Sequence, residues 1–254
     1  MGSGQVVKLS VRLRTVADLA GDDISSLADV GCDHGLLGIS LLLEGRAAHV
    51  IGMDLREGPL SHARENAAAS GLAGDRFETR LSDGLDRLTP GEADTIVIAG
   101  MGGVLMCDIL SRGLEVARAA KRLVLSPQSH IESVREWLYA SGFKITDEAM
   151  CRECGKFYTV MKAEPDKEEG TPLQPEPGTA VLCDEDLFFG PVLNGRGGKV
   201  YFDYITHMHE KAKKRLSQIA KGSSADDKRE YFERVFESSG RMIEAHIRKE
   251  APDA

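Results

Sequence analysis

Acids that close apolar runs, and two glycine-rich stretches, hold most of the chemistry in this 254-residue chain. Asp29-Val30-Gly31-Cys32-Asp33-His34-Gly35 follows an apolar run and precedes a helical one. Glycine there lets the backbone approach a ligand, and a helix start offers free N–H donors. A dinucleotide coenzyme calls for G-x-G-x-x-G, with its pyrophosphate on those donors. Asp33 stands where the second glycine would be, and a carboxylate repels a pyrophosphate. An adenosine cofactor with a cationic end suits the same loop, as S-adenosylmethionine does, with Asp29 near its methionine portion. Asp54 closes the next strand, 23 residues past Gly31, where a carboxylate can take both ribose hydroxyls. NAD enzymes place an acid in the same way. Asp83, before Gly84, suits an adenine amino group. For Asp54 and Asp83 a solvated strand-end cap is the plain structural alternative.

Gly100-Met101-Gly102-Gly103 ends the fourth apolar run and leaves room for a flat ligand beside a methyl donor. A tight turn is the simpler reading. Enzymes that methylate exocyclic amines often carry Asn/Asp-Pro-Pro-aromatic at this position, and this chain does not.

The elements that must position these residues alternate as in a doubly wound α/β sheet. Leu9, Leu13, Val16, Ala17 and Ala20 repeat at helical spacing, and Gly21 stops the helix. Strands are predicted at 27–31, 49–54, 77–81, 95–99 and 122–125, with helices at 36–43, 59–70 and 131–141. Segments 143–149 and 157–163 are joined by a tight Cys-Gly-Lys link, too short for a parallel crossover, so they form an antiparallel hairpin. Five parallel strands closed by such a hairpin suggest a class I methyltransferase (Rossmann-like) sheet. Two domains are expected, 1–164 and 165–254, the second opening with a linker rich in Pro, Glu and Gly over 164–179. Beyond it, Tyr201, Tyr204, Ile205, Met208, Ala212, Leu216 and Ile219 form one heptad-like stripe. Tyr231, Phe232, Val235, Phe236, Met242, Ile243 and Ile247 form another. With a break at 221–224, they predict a C-terminal helical coiled-coil hairpin.

Taken as a sum, the net charge of −8 argues against nucleic acid. Its distribution says otherwise. Residues 164–186 hold eight acidic residues against Lys167, while 199–250 hold twelve basic against nine acidic. Five scattered cysteines imply reduced thiols and no metal, the lone Cys151/Cys154 pair lacking further ligands. The opening residues lack the basic and apolar stretches of a secretory signal, and no run approaches the ~20 residues of a membrane span. A soluble, cytoplasmic protein without a membrane partner is expected, a monomer or weak dimer.

The chain resembles, from end to end, the bacterial tRNA (adenine(22)-N1)-methyltransferase family. The likeness rests on Lys8-Leu9-Ser10-x-Arg12-Leu13, Asp29-x-Gly31-x-Asp33-His34, Asp83-Gly84-Leu85, Ile98-Ala99-Gly100-Met101-Gly102-Gly103, Arg135-Glu136-Trp137-Leu138 and Gly190-Pro191. It implies a catalytic domain that uses S-adenosylmethionine, a coiled-coil domain that helps hold tRNA, and methyl transfer to N1 of adenine 22. Under it, Arg12, Asp29, Gly31, Gly35, Asp54, Asp83, Gly84, Gly100, Met101 and Gly102 fall to the cofactor. Gly103, Pro127 and Gln128, with Lys211, Lys214 and Arg215, fall to the substrate. The chain departs from the family in three places. Leu125-Ser126-Pro127-Gln128 replaces Leu-Gln-Pro-Asn, Asp54 replaces a frequent glutamate, and Leu36 replaces an aromatic stacking partner.

Catalysis is expected of Asp33 and His34. Asp33 would stabilise a cationic N1-methyladenosine or accept from its amino group, and His34 would orient it, unless it only caps a helix start. Gln128 would read an edge of the base. Lys8, Arg12 and Arg14, with Lys211, Lys213, Lys214 and Arg215, would hold phosphates, against the plainer reading of solvated helix faces. The rivals are an NAD-dependent oxidoreductase, a catalytically silent RNA-binding protein, and a methyltransferase for another RNA, a protein or a small molecule.

Overall fold

The computed structural model describes residues 7–72, 74, 76–166, 182–219 and 226–250. The chain divides into two compact units, Met1–Pro177 and Gly178–Ala254. The expected boundary at 164/165 falls at the end of the last strand. Most of the predicted linker, and the predicted break at 221–224, lie outside the described residues.

In the first unit the order is α1 (Val11–Ala20), β1 (Ile24–Val30), α2 (Leu36–Leu43), β2 (Ala47–Asp54), α3 (Glu57–Ala69), β3 (Phe77–Leu81) and β4 (Thr95–Ala99). Then come α4 (Gly103–Arg112), α5 (Leu114–Ala119), β5 (Arg122–Ser126), α6 (Ile131–Ala140), β6 (Phe143–Glu153) and β7 (Lys156–Pro165). Seven strands form one sheet in the order β3-β2-β1-β4-β5-β7-β6. β1 to β5 are parallel, and β7 runs antiparallel between β5 and β6. The strand order reverses between β1 and β4, so a crevice opens there at the strands' carboxyl ends.

The centres of the middle strands are apolar because helices cover both faces. Leu27, Ala28, Ile96, Val97, Ile98, Leu123, Val124 and Leu125 are completely buried. β6 and β7 are longer than the hydrophobic pattern suggests. They pair up to Glu153 opposite Lys156, around a two-residue turn in which Cys154 and Gly155 both have positive φ, the geometry that matches strand twist. α4 and α5 are not anticipated from the sequence, although a parallel β4–β5 step requires such a crossover.

α1 starts where the Ser10 hydroxyl accepts from the Leu13 N–H at 3.3 Å. It packs on β5, β6 and β7, and the Val11 N–H donates to Glu153 Oε1 at 2.7 Å. α6 is fixed to β6 by a fully buried ion pair, Arg135 donating through Nε and Nη2 to Glu148 Oε1 at 3.0 and 2.9 Å. Both placements serve the crevice, since α1 carries Arg12 and α6 follows the β5 loop.

The second unit holds α7 (Asp184–Phe189), α8 (Pro191–Arg196), α9 (Lys199–Gln218) and α10 (Asp226–Glu250). α9 and α10 pack together, burying Tyr201, Tyr204, Ile205, Ala212 and Val235. The predicted stripes are truncated: Ile219 lies past the end of α9 and Ile247 is exposed. Phe188 and Phe189 of α7 meet Tyr231 and Tyr204 edge-on. Arg234 and Arg241 tie α10 to Asp184 and Glu185 at 2.7 and 2.6 Å. Among the described residues no helix is long and apolar enough to cross a membrane.

Candidate functional site

Three loops meet at the switch point. The β1 loop turns through Gly31, Asp33 and Gly35, all with positive φ, and the N–H groups of Gly31 and Cys32 both donate to the Met53 carbonyl of β2 at 2.7 and 2.9 Å. The β4 and β5 loops are laced backbone to backbone. Gly100 N–H donates to Ser126, Gln128 N–H to Met101, and Gly103 N–H to Ser129, at 3.1, 2.8 and 2.8 Å. Met101 leans across to the β1 loop, where a Cβ on Gly31 would lie 2.4 Å from its Cε. Close approach therefore explains the glycine at 31.

Three of the candidate glycines are closely packed on their Cα side. Gly35 is buried against Phe77 and Ala63, Gly84 against Ile109, and Gly103 against the Ser129 and His130 carbonyls. Packing accounts for these three as glycines. Gly31, Gly100, Met101 and Gly102 stay partly exposed at the rim.

The acids differ sharply in environment. Asp29 is 5% exposed, and its carboxylate has no hydrogen-bond partner among the described residues. Burial raises its carboxyl to about 7. The Asp54 side chain is 12% exposed, with Oδ1 accepting the Arg56 N–H at 2.9 Å. Asp33 is 71% exposed in a left-handed backbone, a conformation aspartate tolerates better than most residues. His34 lies 3.7 Å from Asp33 and tilts against His62 at 5.4 Å. Its carbonyl accepts from Asn66 at 2.9 Å, and the N-cap of α2 is Gly35. Asp83 is half exposed and already paired with Arg112 at 3.0 Å. Between the acids lies Cys32, whose thiol is raised first by burial and then by Asp29, Asp54 and Asp33.

Arg12 supplies the opposite charge. Its guanidinium rests 5.7 Å over the Tyr158 ring, and a Cβ on Gly100 would come within 3.1 Å of Nη1 and 3.8 Å of Gln128 Nε2. Arg12 Nη1 is buried without a hydrogen-bond partner among the described residues. A guanidinium nitrogen buried without a partner and a largely buried carboxyl fit a ligand that carries both an anionic and a cationic group. Pro127 is buried and Gln128 exposed on the β5 loop. Lys211, Lys214 and Arg215 belong to the second unit, exposed on α9 and without ion pairs among the described residues. The pattern pointed to neither Ser129, His130 nor Tyr158. The loop lacing shows the place of Ser129 and His130, and the Arg12 contact that of Tyr158; no spacing in the chain announces them.

This sheet order, with a glycine-lined charged crevice at its switch point, defines a class I methyltransferase. A methyltransferase domain model matches residues 9–161, and the chain belongs to that family. It is 39% identical over 158 residues to the tRNA (adenine(22)-N(1))-methyltransferase of Bacillus subtilis, a match spanning 62% of this chain and 66% of that protein. The crystal structure of the B. subtilis m1A22 tRNA methyltransferase superposes with a TM-score of 0.78 at 30% identity, covering 93% of this chain and 99% of that one. A Streptococcus pneumoniae protein solved in complex with S-adenosyl-L-methionine has a TM-score of 0.78 at 29% identity, covering 93% and 100%.

Proposed function

We propose that this protein methylates N1 of an adenine in tRNA, at position 22, using S-adenosylmethionine. The observation that carries the reading is the buried, unpartnered Nη1 of Arg12, together with the buried carboxyl of Asp29, at the switch point of a methyltransferase sheet. Arg12 would hold the cofactor's carboxylate and Asp29 its amino group, with Gly31, Gly100 and Gly102 giving backbone access. Asp54 has one oxygen left for a ribose, its other being held by Arg56. Asp83, with Gly84 turning the chain behind it, would meet the adenine amino group while keeping Arg112. The bound cofactor supplies an electrophilic methyl group on sulfur.

An unpaired adenine N1 carries a lone pair and no proton, so no strong general base is required. The protein's task is alignment, exclusion of water and tolerance of a cationic product. Asp33 and His34 are exposed where a base turned out of the RNA would arrive, and an exposed carboxylate beside the acceptor stabilises the charge it gains. Pro127 fixes the β5 loop and presents Gln128 to an edge of the base. Turning out a paired or stacked base costs a few kcal/mol, and phosphate contacts from Lys211, Lys214 and Arg215 would offset part of it. A tRNA substrate favours a cytoplasmic enzyme.

The test is incubation with methyl-labelled S-adenosylmethionine and bulk tRNA, followed by digestion to nucleosides. Label in N1-methyladenosine supports the reading; label in another nucleoside, or none, overturns it.

A further inference from the structure

A base turned out of RNA loses its stacking neighbours, and proteins that hold one generally give it an aromatic face. The loops after β1, β2, β3, β4 and β5 contain two rings, His34 and His130. His34 already faces His62. His130 is exposed and its faces are unstacked among the described residues.

Its placement is tightly determined. His130 stands at the start of α6 with φ +50 and makes no side-chain cap, although helix-start residues normally have extended backbone and cap the first turn. Three non-glycine residues among those described have positive φ: Asp33, His130 and Cys154. Cys154 sits in a hairpin turn that demands it; the other two sit in loops of the crevice. Ser129 Oγ lies 3.2 Å from His130 Nδ1, which fixes the ring's rotation. Ser129 is itself locked to the β4 loop by the Gly103 N–H, and a Cβ on Gly103 would come within 2.5 Å of the Ser129 carbonyl and 2.3 Å of that of His130. The backbone of His130 is thus held against Gly103 of the β4 loop, and its exposed ring belongs to the same β5 loop as Gln128.

We propose that His130 is a specificity-determining residue whose ring stacks on the adenine that receives the methyl group. The proposal rests on the tRNA reading above. The experiment uses the full-length protein, with a tRNA carrying adenine at position 22 and saturating S-adenosylmethionine, and compares His130→Asn with His130→Phe. Asparagine accepts a left-handed backbone and has no ring; phenylalanine keeps a face and has no ring nitrogen. His130→Asn should lower kcat/KM for tRNA by about 5- to 100-fold, with unchanged melting temperature and unchanged calorimetric affinity for S-adenosylmethionine. His130→Phe should recover most of that loss. Should its backbone strain lower the melting temperature, His130→Tyr and His130→Trp, assayed below their own transitions, give the same reading. Wild-type rates from His130→Asn overturn the proposal, and so does failure of all three ring-bearing variants to exceed it. A wild-type protein that leaves tRNA unmethylated removes the functional reading and this proposal together, whereas the other outcomes leave that reading standing.

Discussion

Arg12 Nη1 lies against Gly100, near enough that a Cβ there would be 3.1 Å away, and it is buried with no hydrogen-bond partner among the described residues. A donor left in that state costs stability unless a ligand completes it. Arg12→Ala should therefore weaken S-adenosylmethionine binding by roughly 10- to 100-fold, since charge-assisted hydrogen bonds contribute about 1.5–3 kcal/mol. Thermal stability of the ligand-free protein should barely fall. Calorimetry with a parallel melting curve checks both; equal loss of stability and affinity would make Arg12 a structural residue.

Asp29 makes a pH-dependent prediction. Burial lifts its carboxyl to about 7, above the ordinary aspartate value of about 3.9. The folded protein therefore holds a proton that the unfolded chain has lost, and stability falls as pH rises between those values. Asp29→Asn should remove that slope and leave the ligand-free protein more stable at pH 8. A cationic ligand group favours the ionised carboxylate, so wild-type cofactor affinity should rise up to about pH 7 and then level off. Melting and calorimetry from pH 5 to 8 measure this; a pH-independent affinity would exclude Asp29 from the cofactor's cationic end.

Asp33 is exposed, in contrast to Asp29, and separable from it by experiment. Asp33→Ala should leave cofactor affinity within about twofold and reduce turnover by 100-fold or more, at the scale of one preorganised electrostatic contact. Single-turnover kinetics beside calorimetry read the two quantities. Parallel loss of both would assign Asp33 to the cofactor.

On α9, Lys211, Lys214 and Arg215 have no acidic partner among the described residues, whereas Arg234 and Arg241 of α10 are paired with Asp184 and Glu185. Replacing all three by alanine should weaken tRNA binding and lower the slope of log affinity against log salt by about one per cation removed. Filter binding from 50 to 300 mM salt, a range chosen as roughly that over which such contacts weaken, would show it. An unchanged slope would return these residues to a solvated helix face.

How much of this was legible beforehand depends on the kind of signal. β3, β4 and α2 have the predicted limits because Gly, Asp and a dense apolar run mark their ends. Asp29, Asp54 and Asp83 stand at or just past the ends of successive strands for the same reason. β6 and β7 overran their pattern because half-exposed hairpin strands carry polar residues that a periodicity reading discards. Gly31 and Gly35 look alike in the sequence, yet a Cβ on the first would meet Met101 and on the second Phe77 and Ala63. Long-range packing makes that difference. Arg12 was legible as a cofactor residue only through family resemblance, because it reaches Gly100 by way of α1 lying on β5, β6 and β7. No local spacing encodes that contact.

The central claim is a single methyl group on N1 of one adenine. Its most direct measurement uses two transcripts of the same tRNA, one with adenine and one with guanine at position 22, incubated with the protein and S-adenosylmethionine. Methylated positions are then mapped by reverse-transcription arrest and mass spectrometry. The account predicts arrest at position 22 and N1-methyladenosine in the first transcript, and neither in the second. Equal methylation of both transcripts, or of neither, would contradict it.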